Sequence, residues 1–358
     1  MMKRALNFLF ASQASACIAC NEEFKNQLNG NEMPRIDMMF SRFIEEKSSA
    51  VDLSEDGRYE IFENKVLEVI AHNTDPEATY TRGLNRHSAM TYQEVKDYYN
   101  MDKVNDHAKQ NCSATKREEG STYTPLEDVP DSWNWRDHNG VSPVKDQGSC
   151  GSCWTFSTVG CLESAHLIKY GSLQTYAEQQ LVDCAGAFDN HGCNGGLPSQ
   201  AFEYIMYNGG LASEADYPYF AEDRNCTVEA SMYEIDVVTG AVNITADDEV
   251  ELKDAVYNYG PTSVCFEVVD DFSDYTSGVY SSTTCGNTQQ DVNHAVLAVG
   301  YGNENGTDYW LVKNSWGTSW GDEGFFKIQR GVNMCGIAMC NSHPADVSEV
   351  NSAAVFLQ

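Results

Sequence analysis

Cys153 lies in the run Gln147-Gly148-Ser149-Cys150-Gly151-Ser152-Cys153-Trp154, where a thiol could serve as a nucleophile. A thiol attacks amides well only as the thiolate, and a free cysteine near pKa ~8.5 is mostly protonated at neutral or acid pH. Two devices correct this. A helix beginning at Cys153 places the positive end of its dipole, and unpaired backbone N–H groups, beside the sulfur. A histidine within hydrogen-bond reach then takes the proton and leaves a thiolate–imidazolium pair.

The elements that could position such a pair change character along the chain. Residues 153–170 read as a helix with its interior along Phe156, Val159 and Leu167. After about residue 235 the pattern becomes short strands separated by Gly and Asn turns. These are Ile235–Val238, Thr262–Val268, His294–Val299, Tyr309–Val312 and Phe325–Ile328. One mainly helical lobe followed by one mainly β lobe is expected, with a cleft between them. Upstream, residues 33–73 read as two amphipathic helices. In the second, Ile61, Phe62, Val66, Val69 and Ile70 recur at helical spacing, while Glu60, Glu63, Lys65 and Glu68 form the polar face. Asp75-Pro76 supplies the stop. Residues 101–128 are polar and interrupted, with Lys116-Arg117-Glu118-Glu119-Gly120 at the centre, and read as an exposed linker open to proteolysis.

A chain of 358 residues has room for about two or three units, and 42% apolar content is ordinary for a globular protein. The net charge of −30 argues against a nucleic-acid partner, because phosphate binding needs clustered Lys and Arg. It suits work in acid, where carboxylate protonation relieves self-repulsion, and it equally fits a plain role in solubility. Thirteen cysteines, with sequons at Asn111, Asn225, Asn243 and Asn305 as candidate glycosylation sites, favour an oxidising secretory route and disulfides. Met1-Met2-Lys3-Arg4, an apolar run to Ala19 and the small residues Ala14-Ser15-Ala16 read as a signal peptide over residues 1–16. No later run approaches the ~18 apolar residues that span a bilayer, so a soluble mature monomer without membrane contact is expected.

The segment Cys150-Gly151-Ser152-Cys153-Trp154 resembles the local signature of the papain family of cysteine peptidases. His294 in Asn293-His294-Ala295-Val296 and Asn314 in Lys313-Asn314-Ser315-Trp316-Gly317 stand downstream, where that family carries its histidine and asparagine. The resemblance runs from about Arg35 to Val347. It implies an α+β, papain-like two-lobe fold, with a helical left lobe and a β-barrel-like right lobe, preceded by a helical inhibitory prodomain. It also implies peptide-bond hydrolysis through a thioester, with no metal or organic cofactor.

Residue by residue, the resemblance makes Cys153 the nucleophile and His294 the base that later protonates the leaving amine. Asn314 would accept from the imidazole and fix its tautomer, with Trp316 covering that bond. Gln147 and the Cys153 N–H would form an oxyanion hole, each donor worth on the order of 3 kcal/mol. Gly195 and Gly196 would let a substrate backbone lie against them, and Cys265 would stand near the pocket for the residue before the scissile bond. The implied disulfides are Cys150–Cys193, Cys184–Cys226 and Cys285–Cys335, leaving Cys161 and Cys265 as small buried apolar residues. Taken singly, Cys153 also fits a buried structural thiol, His294 a core histidine and Asn314 a turn residue. The ordered conjunction, each residue inside its own motif, is what points to catalysis.

The same resemblance extends upstream. Arg58, Phe62, Val69 and Asn73 match the family's prodomain helix, while Ser54 and Lys65 stand where Glu and Asn are expected. Gly83-Leu84-Asn85-Arg86-His87-Ser88-Ala89 is similar to a second prodomain motif, with His87 and Ala89 in place of Phe and Asp. The implied division is a prodomain over 17–128 and a peptidase domain over 129–358; an unrelated helical hairpin is the plainer reading of 33–100. Within the family, Gln110-Asn111-Cys112-Ser113-Ala114-Thr115 is similar to the mini-chain of the cathepsin H branch. That likeness implies a segment at about 108–115, freed by cuts around the linker 116–128 and held by a Cys112–Cys340 disulfide. Its Thr115 carboxylate would pair with a substrate's α-ammonium, giving an aminopeptidase. A cathepsin L-like endopeptidase and a non-catalytic peptide-binding homologue are the alternatives. The implied partners are peptide or protein substrates, the chain's own prodomain as inhibitor, and cystatin-like inhibitors. The implied location is the lysosome or vacuole, or the extracellular space.

Overall fold

The computed structural model describes residues 36–47, 57–101, 129–233, 237–345 and 347–348. The signal segment, Ser54, the linker, Asn111, Cys112 and Thr115 lie outside them. Helices α1 (Ile36–Lys47) and α2 (Arg58–Thr74) come first among the described elements. They cross through aromatic contacts, with the Phe43 and Phe62 rings 5.1 Å apart, and bury Met39, Val66, Val69 and Leu84 beside them. Strand β1 (Tyr80–Arg82) and helix α3 (Tyr92–Tyr98) follow. Thr91 and Glu94 close a capping box at the start of α3. Arg58 reaches across to Glu94 at 2.8 Å, so one carboxylate fastens the starts of both helices.

The second body begins with β2 (Trp133–Asn134), α4 (Cys153–Tyr170), α5 (Glu178–Cys184) and α6 (Pro198–Asn208). Then come β3 (Val237–Val238), β4 (Ala241–Asn243), α7 (Glu249–Asn258), β5 (Thr262–Phe266) and β6 (Tyr275–Tyr280). It ends with β7 (His294–Glu304), β8 (Thr307–Lys313), β9 (Phe325–Gln329), β10 (Ser342–Pro344) and β11 (Val347–Ser348). One sheet runs β1-β6-β9-β8-β7-β5-β10-β4, with β2 on β7 and only β6–β9 parallel among its pairs. The expected α+β architecture is present, helices first and sheet after. Among the described residues no helix is long and apolar enough to cross a membrane.

The prodomain is joined to this sheet as its edge strand. Tyr80 pairs with Gly278 and Thr81 with Ser277, so backbone hydrogen bonds hold the inhibitor-like segment whatever its side chains. A Cβ on Gly278 would lie 2.6 Å from the Thr79 carbonyl oxygen, and its φ of +86° also favours glycine.

Two local expectations need correction. Lys65 is not on a solvated face: it is buried and sits 3.0 Å from the fully buried carboxylate of Asp274, which Arg82 also meets at 2.8 Å. That flank of α2 faces the sheet rather than water. Helix α4 is buried almost all round rather than along Phe156, Val159 and Leu167, because it runs between α6 and strand β7. Trp154, Val159 and Leu162 pack there with Phe202, Ile205 and Leu297, while Phe156 and Leu167 are only half-buried.

Strand β7 also outruns its expected end at Val299. Gly300 breaks the pattern in sequence, yet a Cβ there would lie 2.3 Å from the Trp133 carbonyl oxygen, so the glycine admits β2 and the strand continues. The β7–β8 hairpin turns at Asn305 and Gly306, with φ of +51° and +88°, the left-handed pair that suits strand twist.

Removing the Asp274 charge should loosen the prodomain. Asp274→Asn leaves Lys65 and Arg82 with only the more exposed carboxylates of Glu68 and Asp270, at 3.3 to 3.5 Å, and losing the buried partner costs about 3 kcal/mol. The altered precursor is expected to lose protection of residues 57–101 against an added protease by roughly 100-fold. Wild-type protection in that variant would remove the assigned role of the cluster.

Candidate active site

Cys153 is the first residue of α4, and its Sγ lies 3.5 Å from the Ala295 backbone N–H. His294 opens β7, and Asn314 follows the end of β8, so the hairpin carries both to one end of the sheet. Their side chains meet: His294 Nε2 is 2.8 Å from Asn314 Oδ1, which also accepts from the Ser315 N–H at 2.8 Å. An oxygen holding that second donor acts as acceptor, so Nε2 carries the ring proton and Nδ1 keeps its lone pair. Nδ1 is buried with no hydrogen-bond partner. Trp316 lies over the pair, its ring 5.1 Å from the imidazole.

Gln147 is fully buried beside this group. Its Oε1 accepts from Ser315 Oγ at 2.6 Å, and its Nε2 donates to the Cys150 carbonyl at 2.9 Å. The amide orientation is therefore set by a donor on one side and an acceptor on the other, with one N–H left over. Cys265 on β5 is the register partner of Ala295, which places it next to the nucleophile's neighbour. Gly196 uses its missing side chain against the core: a Cβ would lie 2.4 Å from Asn190 Oδ1 and 2.7 Å from the Trp154 ring.

Disulfides join Cys150 to Cys193, Cys184 to Cys226 and Cys285 to Cys335, while Cys161 and Cys265 are free and buried. Cys340 is also disulfide-bonded, and none of the other described cysteines is its partner. Of the sequons, Asn225 and Asn305 are exposed and Asn243 is half-buried in β4.

The prodomain sits directly on this site. Arg86 reaches both oxygens of Asp146, at 2.6 and 3.1 Å, and the Trp316 carbonyl at 2.9 Å. Tyr99 stacks on Trp316 with ring centres 4.6 Å apart, and Asn100 donates to the Cys193 carbonyl at 2.8 Å. Burial pushes the Cys153 thiol up to about 11, although the N–H groups of Ala295, Trp154 and Cys153 pull the other way. Burial likewise pushes the His294 imidazole down to about 4. Burial thus favours the neutral form of both groups, because an ion pair out of water costs desolvation.

Residues 129–345 match the papain family cysteine protease profile. The chain belongs to the papain family of cysteine proteases. Residues 53–95 match the cathepsin propeptide inhibitor domain, so this papain-family proenzyme carries its own intramolecular inhibitor. It is 51% identical to pro-cathepsin H of Mus musculus over 80% of this chain and 84% of that one. It is 50% identical to the thiol protease aleurain of Arabidopsis thaliana, over 80% and 77% of the two chains. Among solved structures, a digestive procathepsin L2 of Tenebrio molitor is similar, with a TM-score of 0.76 and 39% identity over 86% of this chain and 99% of that one. A ragweed pollen allergen cysteine protease in its proform gives the same TM-score at 33% identity, covering 87% and 93%.

Sequence motifs pointed to Cys153, His294, Asn314, Trp316 and Gln147. They missed Ser315, which sets the Gln147 amide, and Tyr219, whose hydroxyl lies 2.7 Å from the Gln147 carbonyl. Ser315 was adjacent to a flagged residue, whereas nothing local marks Tyr219.

Proposed function

We propose that this cysteine protease hydrolyses peptide bonds with Cys153 as nucleophile, His294 as base and then acid, and Asn314 as the group that orients the ring. The observation that carries this reading is the meeting of three elements. The start of α4 and the Ala295 N–H meet at the Cys153 sulfur, and the Asn314-bound imidazole belongs to the residue just before Ala295. Attack of the sulfur on a carbonyl puts charge on its oxygen, which the spare N–H of Gln147 and the Cys153 N–H would receive. His294 then gives its proton to the departing amine, and water resolves the thioester by the same route in reverse.

The mature enzyme acts as an aminopeptidase. Two things support this: the likeness to pro-cathepsin H, and a bonded Cys340 whose partner is not among the other described cysteines. We assign that partner to Cys112, so that a mini-chain of about 108–115 ends in the Thr115 carboxylate after cleavage in the linker 116–128. A carboxylate at the closed end of a cleft selects a free α-ammonium, because an unpaired buried charge is costly. The enzyme works in the acidic lysosome or vacuole, or outside the cell, reached through the secretory pathway.

Activated enzyme should cleave a residue amide with a free α-amine faster than its N-blocked analogue by at least about tenfold, the value of one charge-assisted hydrogen bond. Cys112→Ala should reverse that preference toward endopeptidase substrates. Preference for the blocked amide in the unaltered enzyme would leave the cathepsin L-like alternative.

A further inference from the structure

Ser152 occupies the N-cap of α4, where a serine ordinarily accepts from the backbone two or three residues on. It does not do so here. Its Oγ lies instead 2.6 Å from the hydroxyl of Tyr219, and that hydroxyl donates to the main-chain carbonyl of Gln147 at 2.7 Å. Tyr219 has one proton to give, so Ser152 is the donor in the first bond and Gln147 the acceptor in the second. Burial holds the phenol well above its usual range, and it stays protonated at every working pH.

The ring itself has little freedom. It packs edge-on against Phe156 with centroids 4.9 Å apart, and its backbone N–H donates to Glu214 at 3.0 Å. One rigid hydroxyl therefore ties the residue before the nucleophile to the residue whose amide faces the reacting carbonyl. A local capping rule is broken, and the hydroxyl it frees is spent on this tie.

We infer that Tyr219 is a positioning residue for the oxyanion hole, acting through the Gln147 main chain to fix where the Gln147 amide sits relative to Cys153. This rests on the catalytic roles proposed above. Gln147 is a side chain on a loop that an Asp146–Trp316 bridge and the Gln147 N–H to the Ser315 carbonyl, at 2.8 Å, hold from one side. Gly148 beyond it turns away at a φ of +59° and leaves the Gln147 carbonyl to Tyr219. Ser315 and the Cys150 carbonyl set the rotation of the amide. Tyr219 sets the height of the backbone beneath it. Preorganisation of this kind matters only when charge develops on the substrate oxygen.

The test separates hydrolysis from simple thiol chemistry. A peptidyl aldehyde is attacked by Cys153: a C–S bond forms, the carbonyl electron pair moves to oxygen, and the thiol proton passes to His294. Its oxygen then occupies the oxyanion hole. Alkylation of Cys153 by iodoacetamide forms a C–S bond and expels iodide without using the hole. Tyr219→Phe is expected to lower kcat/KM and aldehyde affinity about tenfold, the worth of one buried hydrogen bond, with KM and alkylation rate unchanged. Wild-type aldehyde affinity in Y219F overturns the inference, and so does an equal loss in alkylation.

Should Y219F not fold, 3,5-difluorotyrosine at position 219 keeps the shape and lowers the phenol pKa. Aldehyde affinity should then fall as the phenol ionises at alkaline pH, while alkylation does not. An affinity flat with pH in that protein overturns the proposal. Failure of the underlying catalytic reading looks different: the unaltered enzyme would bind no aldehyde at all.

Discussion

Cys153→Ala in the activated enzyme is expected to lower kcat by roughly a million-fold while peptide binding persists. Removing a nucleophile eliminates the covalent route, and the remaining oxyanion donors rescue only a small part of the rate. Hydrolysis of a peptide amide under saturating substrate checks this. The same protein must also lose the label that a thiol reagent leaves on the peptide carrying residue 153, read separately from the other free and buried thiols, Cys161 and Cys265. A second measurement uses the precursor. With the thiol pushed up to about 11 and the imidazole down to about 4, alkylation of Cys153 at pH 6 should be slow before prodomain release and fast after it. Equal alkylation rates would mean that prodomain cover does not set the charge state. Residual hydrolysis near the wild-type rate in Cys153→Ala would end the covalent mechanism for this protein.

Release of the prodomain should become steadily easier as pH falls from 6.5 toward 3, and His87 should account for much of the slope. His87 is fully enclosed, and its ring stands edge-on to Trp316 at 5.6 Å. Arg86 donates to the Tyr99 hydroxyl at 2.8 Å, so that hydroxyl must give its own proton to His87 Nε2, 2.9 Å away. Protonating Nε2 would set two donors against each other. Burial first, then the Arg86 and Lys65 cations, hold the imidazole down at about 3 against its usual 6.5, while Asp146 and the Ser273 carbonyl oppose them.

The sign follows from proton counting. Docked His87 is neutral, and released His87 takes up a proton below 6.5, so acid favours the released state by tenfold per pH unit until about 3. At pH 4.5 the factor is on the order of 100. His72, whose Nε2 meets the Tyr80 carbonyl and whose pKa burial lowers, adds in the same direction. His87→Phe, restoring the ring usual at that point of the motif, should therefore leave inhibition at pH 7.5 nearly unchanged and slow activation at pH 4.5 by up to about 100-fold. Rates of appearance of activity against pH in the two precursors decide it. Parallel curves would assign the acid response to other groups.

What was legible in the sequence had a local code. Contiguous motifs marked Cys153, His294 and Asn314, because a nucleophile at a helix start and a histidine at a strand start each need particular neighbours in the chain. Helical spacing marked α2 and α4, and the Asn-Gly pair at 305–306 has the chemistry of a tight hairpin turn. Only the tertiary structure decided which faces of those elements meet water. Lys65 carries every mark of a surface residue, and burial against Asp274 comes from docking across the sheet edge, two hundred positions away in the chain. The continuous burial of α4, the passage of β7 through Gly300, and the tie from Ser152 through Tyr219 to Gln147 arise in the same way. Short-range pattern encodes an element and its chemistry, whereas contacts between remote segments depend on how the lobes pack, and no window of sequence carries that information.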